Sequence, residues 1–271
     1  MRNRNSIIIV GLVILALLLL CCCVVAFVIA APRIGDVVPW ARWNDSSWPL
    51  SVGRESATDT FVRELRVESP TTVVVSSEVG DITIRSGDDG VVRVEAELVA
   101  KAGSRSAAEN LLREMSVSAT SSGGEARIEA DVPDNLMGRE STIRLVIIVP
   151  RQARLDVRNS VGTILIYGTQ GPAQVQNSVG NISFDGELPG KGEMVFSTSV
   201  GDILLDLPGG SAFILDATTN VGRIDMDFDL DRGDAGDGNW VGEKVQGSVG
   251  SNPQVTLTLR TGTGSMDINS R

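Results

Sequence analysis

Asn159-Ser-Val-Gly-Thr-Ile164, Asn177-Ser-Val-Gly-Asn-Ile182, Thr198-Ser-Val-Gly-Asp-Ile203 and Thr219-Asn-Val-Gly-Arg-Ile224 state one phrase four times. The glycines Gly162, Gly180, Gly201 and Gly222 follow one another at 18, 21 and 21 residues. A near-constant period of that size marks stacked units, each too small to bury its apolar face alone. Short alternating runs flank each phrase, such as Leu155-Asp-Val157 before the first and Ile164-Leu-Ile166 after it. The unit therefore reads as strand, corner, strand, with Gly supplying backbone angles that a Cβ makes costly. A turn of 18–21 residues has no room for a helix as well as two strands and two corners. The expected fold is all-β: a single-stranded β-helix, or β-solenoid, whose corners fall at Gly80, Gly162, Gly180, Gly201, Gly222 and Gly264. Gly80 stands in an earlier copy, Glu78-Val-Gly-Asp-Ile82, and Gly264 lies 42 residues after Gly222, or two periods.

Working outward, residues 143–149 are apolar enough for a strand buried on both faces, and Pro150 ends it. Ser106 to Met115 places Ala107, Leu111, Leu112 and Met115 on one side, which predicts one short amphipathic helix covering the β-structure. Residues 7–31 run for 25 positions without a charge, long enough to span a bilayer as a helix. Arg2 and Arg4 precede that run, so the positive-inside rule puts residues 1–6 in the cytoplasm and the rest of the chain outside it. A cleaved signal peptide is the rival reading, because small residues precede Pro32. Residues 32–60 hold Trp40, Trp43 and Trp48 among Pro, Ser and charged residues and read as a linker. Indoles suit a membrane–water boundary, though packing under the solenoid or stacking on sugars fits them too. The β-domain is expected over residues 61–271.

Composition excludes much chemistry. The chain has 271 residues, no His, and only Cys21, Cys22 and Cys23, all inside the apolar run. Cys or His nucleophiles, Ser-His-Asp triads and ordinary zinc sites are thereby removed. The formal charge is −10, and beyond residue 31 there are 22 basic against 34 acidic residues. Such a surface repels phosphate backbones, so no nucleic-acid partner is expected. The residue after the repeat glycine is Asp81, Thr163, Asn181, Asp202 or Arg223. That variety argues against a shared catalytic role and reads as a position chosen for solubility. No catalytic or cofactor-binding residue is expected, and the protein reads as a non-enzyme.

One constellation invites a ligand. Ile224-Asp-Met-Asp-Phe-Asp-Leu-Asp231 alternates strictly, and carboxylates two residues apart on a strand share a face at intervals of about 7 Å. Asp227, Asp229 and Asp231, with Asp234 and Asp237 in the loop beyond, could offer oxygens to Ca²⁺. The EF-hand template fails, since Arg232 stands where it needs Gly. The competing reading is a solvated edge whose charges discourage association.

The run Leu145-Val-Ile-Ile-Val-Pro150, then Leu155-Asp-Val157, then serial Val-Gly-X-Ile corners resembles a family of bacterial proteins of unknown function called "putative adhesins". The resemblance covers about residues 61–269. It implies a β-helix tethered by an N-terminal helix and displayed outside the cytoplasm, in some relatives alongside envelope-stress systems. No site residues carry over from it. The expected role is display, adhesion or interaction at the cell envelope, with an envelope protein, a glycan or a second copy as partner. The alternatives are a β-helix enzyme acting on envelope polysaccharide and an envelope-stress sensor component.

Overall fold

The computed structural model describes residues 54–133, 139–231 and 242–271. The expected anchor at residues 7–31 and residues 32–53 of the expected linker lie outside them; residues 55–60, expected as linker, belong instead to the first strand, so the β-domain begins at Glu55 rather than Phe61. Among the described residues no helix is long and apolar enough to cross a membrane. The chain opens with β1 (Glu55–Arg66), β2 (Thr72–Val79), β3 (Ile82–Gly87) and β4 (Val91–Ala102). The helix α1 (Arg105–Glu114) follows, then β5 (Ser116–Ser122), β6 (Glu125–Asp131) and β7 (Glu140–Pro150). Next come β8 (Arg154–Val161), β9 (Ile164–Tyr167), β10 (Ala173–Val179), β11 (Ile182–Asp185), β12 (Gly192–Val200) and β13 (Ile203–Leu207). The chain ends with β14 (Phe213–Val221), β15 (Ile224–Met226), β16 (Glu243–Val249), β17 (Val255–Thr263) and β18 (Met266–Ser270).

These strands form two nine-stranded sheets, ordered β1-β4-β7-β3-β9-β11-β13-β18-β15 and β16-β14-β17-β12-β10-β8-β2-β6-β5. Both are mixed: β1 with β4, β4 with β7, β14 with β16 and β5 with β6 pair antiparallel. This overturns the single-stranded β-helix. Such a coil would add its layers in chain order, whereas β17 and β18 insert between β12 and β14 and between β13 and β15. The interval from Gly222 to Gly264 equals two periods by count, yet the chain spends it on β16, which folds back on β14, and on a return beneath the last layer. The 82-residue interval from Gly80 to Gly162 also departs from simple turns: β6 and β7 stack parallel on β2 and β3, while β4 and β5 pair antiparallel and α1 lies between them.

Alternation explains the packing. Along β10 the residues Ala173, Val175 and Asn177 are buried while Gln176 and Ser178 are exposed, and the other strands of the second sheet repeat this two-residue rhythm. The inward set joins the two sheets in one core that includes Val157, Val175, Phe184, Phe196, Ile203 and Leu259, all fully buried. Phe184 and Phe196 meet across it with ring centroids 5.4 Å apart. At one end α1 lays Ala108 and Leu111 into the core, capped by Ser104, whose hydroxyl accepts from the Ala107 N–H at 3.3 Å. At the other end the alternating run does not continue as a strand. β15 stops at Met226, and Met226, Phe228 and Leu230 pack partly buried against the core, with Phe228 edge-on to Phe213 at 5.4 Å.

Candidate functional site

The corners that join the two sheets come first, because they fix the faces on either side. Gly80, Gly162, Gly180, Gly201, Gly264 and Gly222 lie in one column with φ between +130° and +150°. A Cβ on Gly180 would stand 2.1 Å from the Gly162 carbonyl oxygen, and one on Gly162 would stand 2.1 Å from that of Gly80. Glycine is thus required twice over, by backbone angle and by the closeness of the next layer. Gly80, Gly162, Gly180, Gly201 and Gly264 each donate their N–H to the adjoining layer, as Gly180 does to the Val200 carbonyl at 2.8 Å.

The first residue of each phrase answers the carbonyls. Asn159 and Asn177 donate from Nδ2 to the Gly80 and Gly162 oxygens at 3.1 and 2.8 Å. Thr198, Thr261 and Thr219 donate from their hydroxyls to the Gly180, Gly201 and Gly264 oxygens at 3.1, 2.9 and 2.9 Å. A side-chain partner for a buried carbonyl explains why a polar residue recurs at an inward position. The variable residue after the glycine also has a structural task. Asp81, Asn181 and Asp202 accept the backbone N–H of Thr163, Asp202 and Ser265 at 2.9, 2.9 and 2.8 Å. Solubility alone does not account for those three positions.

The acidic run is arranged differently from a strand face. Asp225 lies in β15, Asp227 and Asp229 follow after the strand has ended, and Asp231 makes an isolated bridge to Ser248. Asp227 accepts the Ser270 N–H at 3.4 Å. Asp234 and Asp237 lie outside the described residues. Among the described residues no three His, Cys, Asp or Glu side chains gather as a cation site.

What the strand order does assemble is the outer face of the second sheet. One row of registered neighbours crosses seven strands: Ser76, Arg158, Gln176, Ser197, Arg260, Thr218 and Lys244. Neighbours in it stand about 4.8 Å apart. A second row of small polar residues, Ser160, Ser178, Ser199 and Asn220, runs alongside towards the corners. Two open troughs lie over these rows. One, of about 530 Å³, is lined by Arg260, Lys244, Thr218, Asn220 and Ser199 among others; the other, of about 680 Å³, by Ser76, Arg158, Gln176 and Ser178 among others.

The row carries Arg158, Arg260 and Lys244, and its register continues from Ser76 to the exposed Glu129 of β6. Three other carboxylates beside it are engaged: Asp156 with Arg158 at 3.1 Å, Asp216 with the Gln246 amide at 3.0 Å, and Glu78 with the Val132 N–H at 3.0 Å. Arg260 and Lys244 have no carboxylate within ion-pair distance among the described residues. Beside the face runs a ridge of half-exposed valines, Val161, Val179, Val200 and Val221, each preceding a corner glycine. Sequence reasoning missed the row because Arg158 and Arg260 are 102 residues apart and meet only through the strand order. A signal existed: each member from Arg158 to Arg260 directly precedes the buried Asn or Thr of its phrase.

A perturbed carboxyl lies elsewhere. Glu140 of β7 accepts from the Lys101 ammonium at 2.9 Å, and that hydrogen bond, helped by the Lys101 charge and by Arg54, holds its carboxyl below the usual range.

No protein-family model matches this chain, and no curated protein matches it. Solved structures do resemble it. A "putative cell adhesion protein" from Clostridium sporogenes superposes with a TM-score of 0.56 at 11% identity, over 79% of this chain and 100% of that one. A "putative adhesin" from Bacteroides fragilis covers 78% of this chain and 97% of its own at 11% identity, with a TM-score of 0.27 too low to build on. The first likeness, at 11% identity, shows a shared fold alone.

Proposed function

We propose that this protein is a non-catalytic display and adhesion module of the cell envelope, binding through the outer face of its second sheet. In this reading residues 7–31 tether the chain to the membrane and the β-domain stands outside the cytoplasm. The uncharged run and the Arg2/Arg4 flank support that placement. The observation carrying the binding role is the row from Ser76 to Lys244: a flat, polar, seven-strand surface with uncompensated cations at Arg260 and Lys244. A flat face with donors spread over two rows suits an extended ligand, whose affinity comes from many modest contacts. A hydrolase or lyase would instead bring carboxylates together in a cleft. Asp156, Asp216 and Glu78 beside this row are tied to neighbours rather than gathered in a cleft, which supports binding over turnover.

The test uses the full chain in detergent against immobilised envelope glycans and peptidoglycan. Arg260→Ala and Lys244→Ala are each expected to weaken binding by about three- to tenfold without abolishing it. Release of soluble fragments from any of these polymers, abolished by changing one Asp, would overturn the proposal.

A further inference from the structure

β1 is the outermost strand of the first sheet, and it is unlike the other sheet edges. β15 has three residues, and β16 and β5 have seven each; β1 has twelve, paired one-to-one with β4 from Glu55↔Ala102 to Arg66↔Val91 without a bulge. It contains no proline. A long straight edge of this kind is a template for another strand. The Thr60 N–H shows which groups face outward: it donates to its neighbour Asp59 at 2.8 Å. Even-numbered residues of β1 therefore turn their backbone to the side where no described strand pairs, and odd-numbered residues turn theirs to β4.

We propose that this edge pairs antiparallel with β1 of a second copy of the chain, with Phe61 opposite Phe61. The choice of occupant and register follows from the charges. Asp59 and Arg63 project on the same side of β1 as the buried Leu65, yet both are exposed and have no ion-pair partner among the described residues. Antiparallel copies can meet only in registers that match outward-facing residues with outward-facing residues. Centred on Phe61, the register sets each Asp59 opposite the other copy's Arg63 and, with Asp59 turned from the Thr60 N–H to that arginine, pairs Thr60 with Val62 through their outward backbone groups. Centred on Thr60 or Val62, it places both charges against apolar side chains. Centred on Asp59 or Arg63, it sets like charges face to face, which is unfavourable. Val62, 61% exposed, gains the other copy's Thr60 as a cross-strand neighbour when the copies join. The two first sheets become continuous, and the polar face on the second sheet is left free in each copy. The pairing does not depend on what that face binds.

Sedimentation of the full chain in detergent, over a wide concentration range, tests the proposal. A monomer–dimer equilibrium is expected. Asp59→Arg alone and Arg63→Asp alone each place two like-charge pairs across the axis and should raise the dissociation constant by about tenfold. The double variant exchanges the charges and should return it to within about threefold of the parent. With Cys21, Cys22 and Cys23 changed to Ser, Phe61→Cys should form an intermolecular disulfide on oxidation. Thr58→Cys, which meets Glu64 of the other copy, should not. A chain that stays monomeric throughout, a dimer indifferent to Asp59→Arg, or a double variant no better than the singles would overturn the proposal.

Discussion

Around Gly180 the chain is held by groups that recur in layer after layer, whereas at β1, α1 and the segment after Met226 it is held by contacts made once. In the stacked middle, one glycine column, one buried Asn or Thr and one set of inward aliphatics meet their own kind above and below. At the ends the last layer has no such neighbour. There the chain turns antiparallel, lays a helix or an apolar loop over the exposed core, and uses Phe228, Leu230, Ala108 and Leu111 as lids. A repeated layer is cheap to specify but cannot stop itself, so its termination must be specified residue by residue.

Gly180→Val should give the largest effect that separates the two regions. It joins a disfavoured φ of +130° to a 2.1 Å clash with the Gly162 carbonyl oxygen, and we expect a loss of about 5 kcal/mol. Gly103→Ala, where an added Cβ meets nothing within 4 Å, should change stability by under about 0.5 kcal/mol. Urea unfolding of both measures the contrast, and equal effects would break it. Phe196→Ala, fully buried between layers, should cost about 3–5 kcal/mol, against about 1–2 for Phe228→Ala on the partly buried lid. The same unfolding curves report that pair.

Asn177→Ala removes the donor to the Gly162 oxygen and should cost about 1–3 kcal/mol. Asn177→Thr installs the hydroxyl used by Thr198 one layer on, and it removes an Oδ1 with no hydrogen-bond partner among the described residues. That variant should fall within about 1 kcal/mol of the parent. If it melts like the alanine variant, the two layer types are not interchangeable. Smallest of all is the ion pair between β4 and β7. Glu140 has a lowered carboxyl pKa in the folded protein, so its pairing contributes above the ordinary glutamate range and is lost as pH falls through the lowered value. Lys101→Met should therefore flatten the melting-temperature profile on its acid side, below the ordinary glutamate range, and leave its slope at alkaline pH unchanged.

Much of the stack was legible because its signal is local. The Val-Gly-X-Ile phrases carry both the corner and the strands on either side of it, and each lies within a dozen residues. The layer order was not legible, since Thr261-Gly-Thr-Gly-Ser-Met266 carries a degenerate phrase and nothing local says that it stacks on Thr198 rather than above Thr219. The acidic run misled for a related reason. Its alternation is that of a strand, but Phe228 and Leu230 alternate because they close an end of the core, and burial rather than sheet pairing sets the rhythm. The polar face was invisible for want of neighbours: Arg158, Arg260 and Lys244 become a row only through the strand order.

Disulfide trapping reads that strand order in the folded chain. With the three native cysteines changed to Ser, Cys placed at Ser197 and Arg260 would sit on neighbouring strands of the same outer row. Cys placed at Ser197 and Thr218 would sit two strands apart, at about 9.6 Å, beyond the reach of about 7 Å that a disulfide allows. Oxidation should cross-link the first pair rapidly and leave the second as free thiols. A second pair that closes while the first stays open would mean that β14 stacks directly on β12, and the inserted layer would be contradicted.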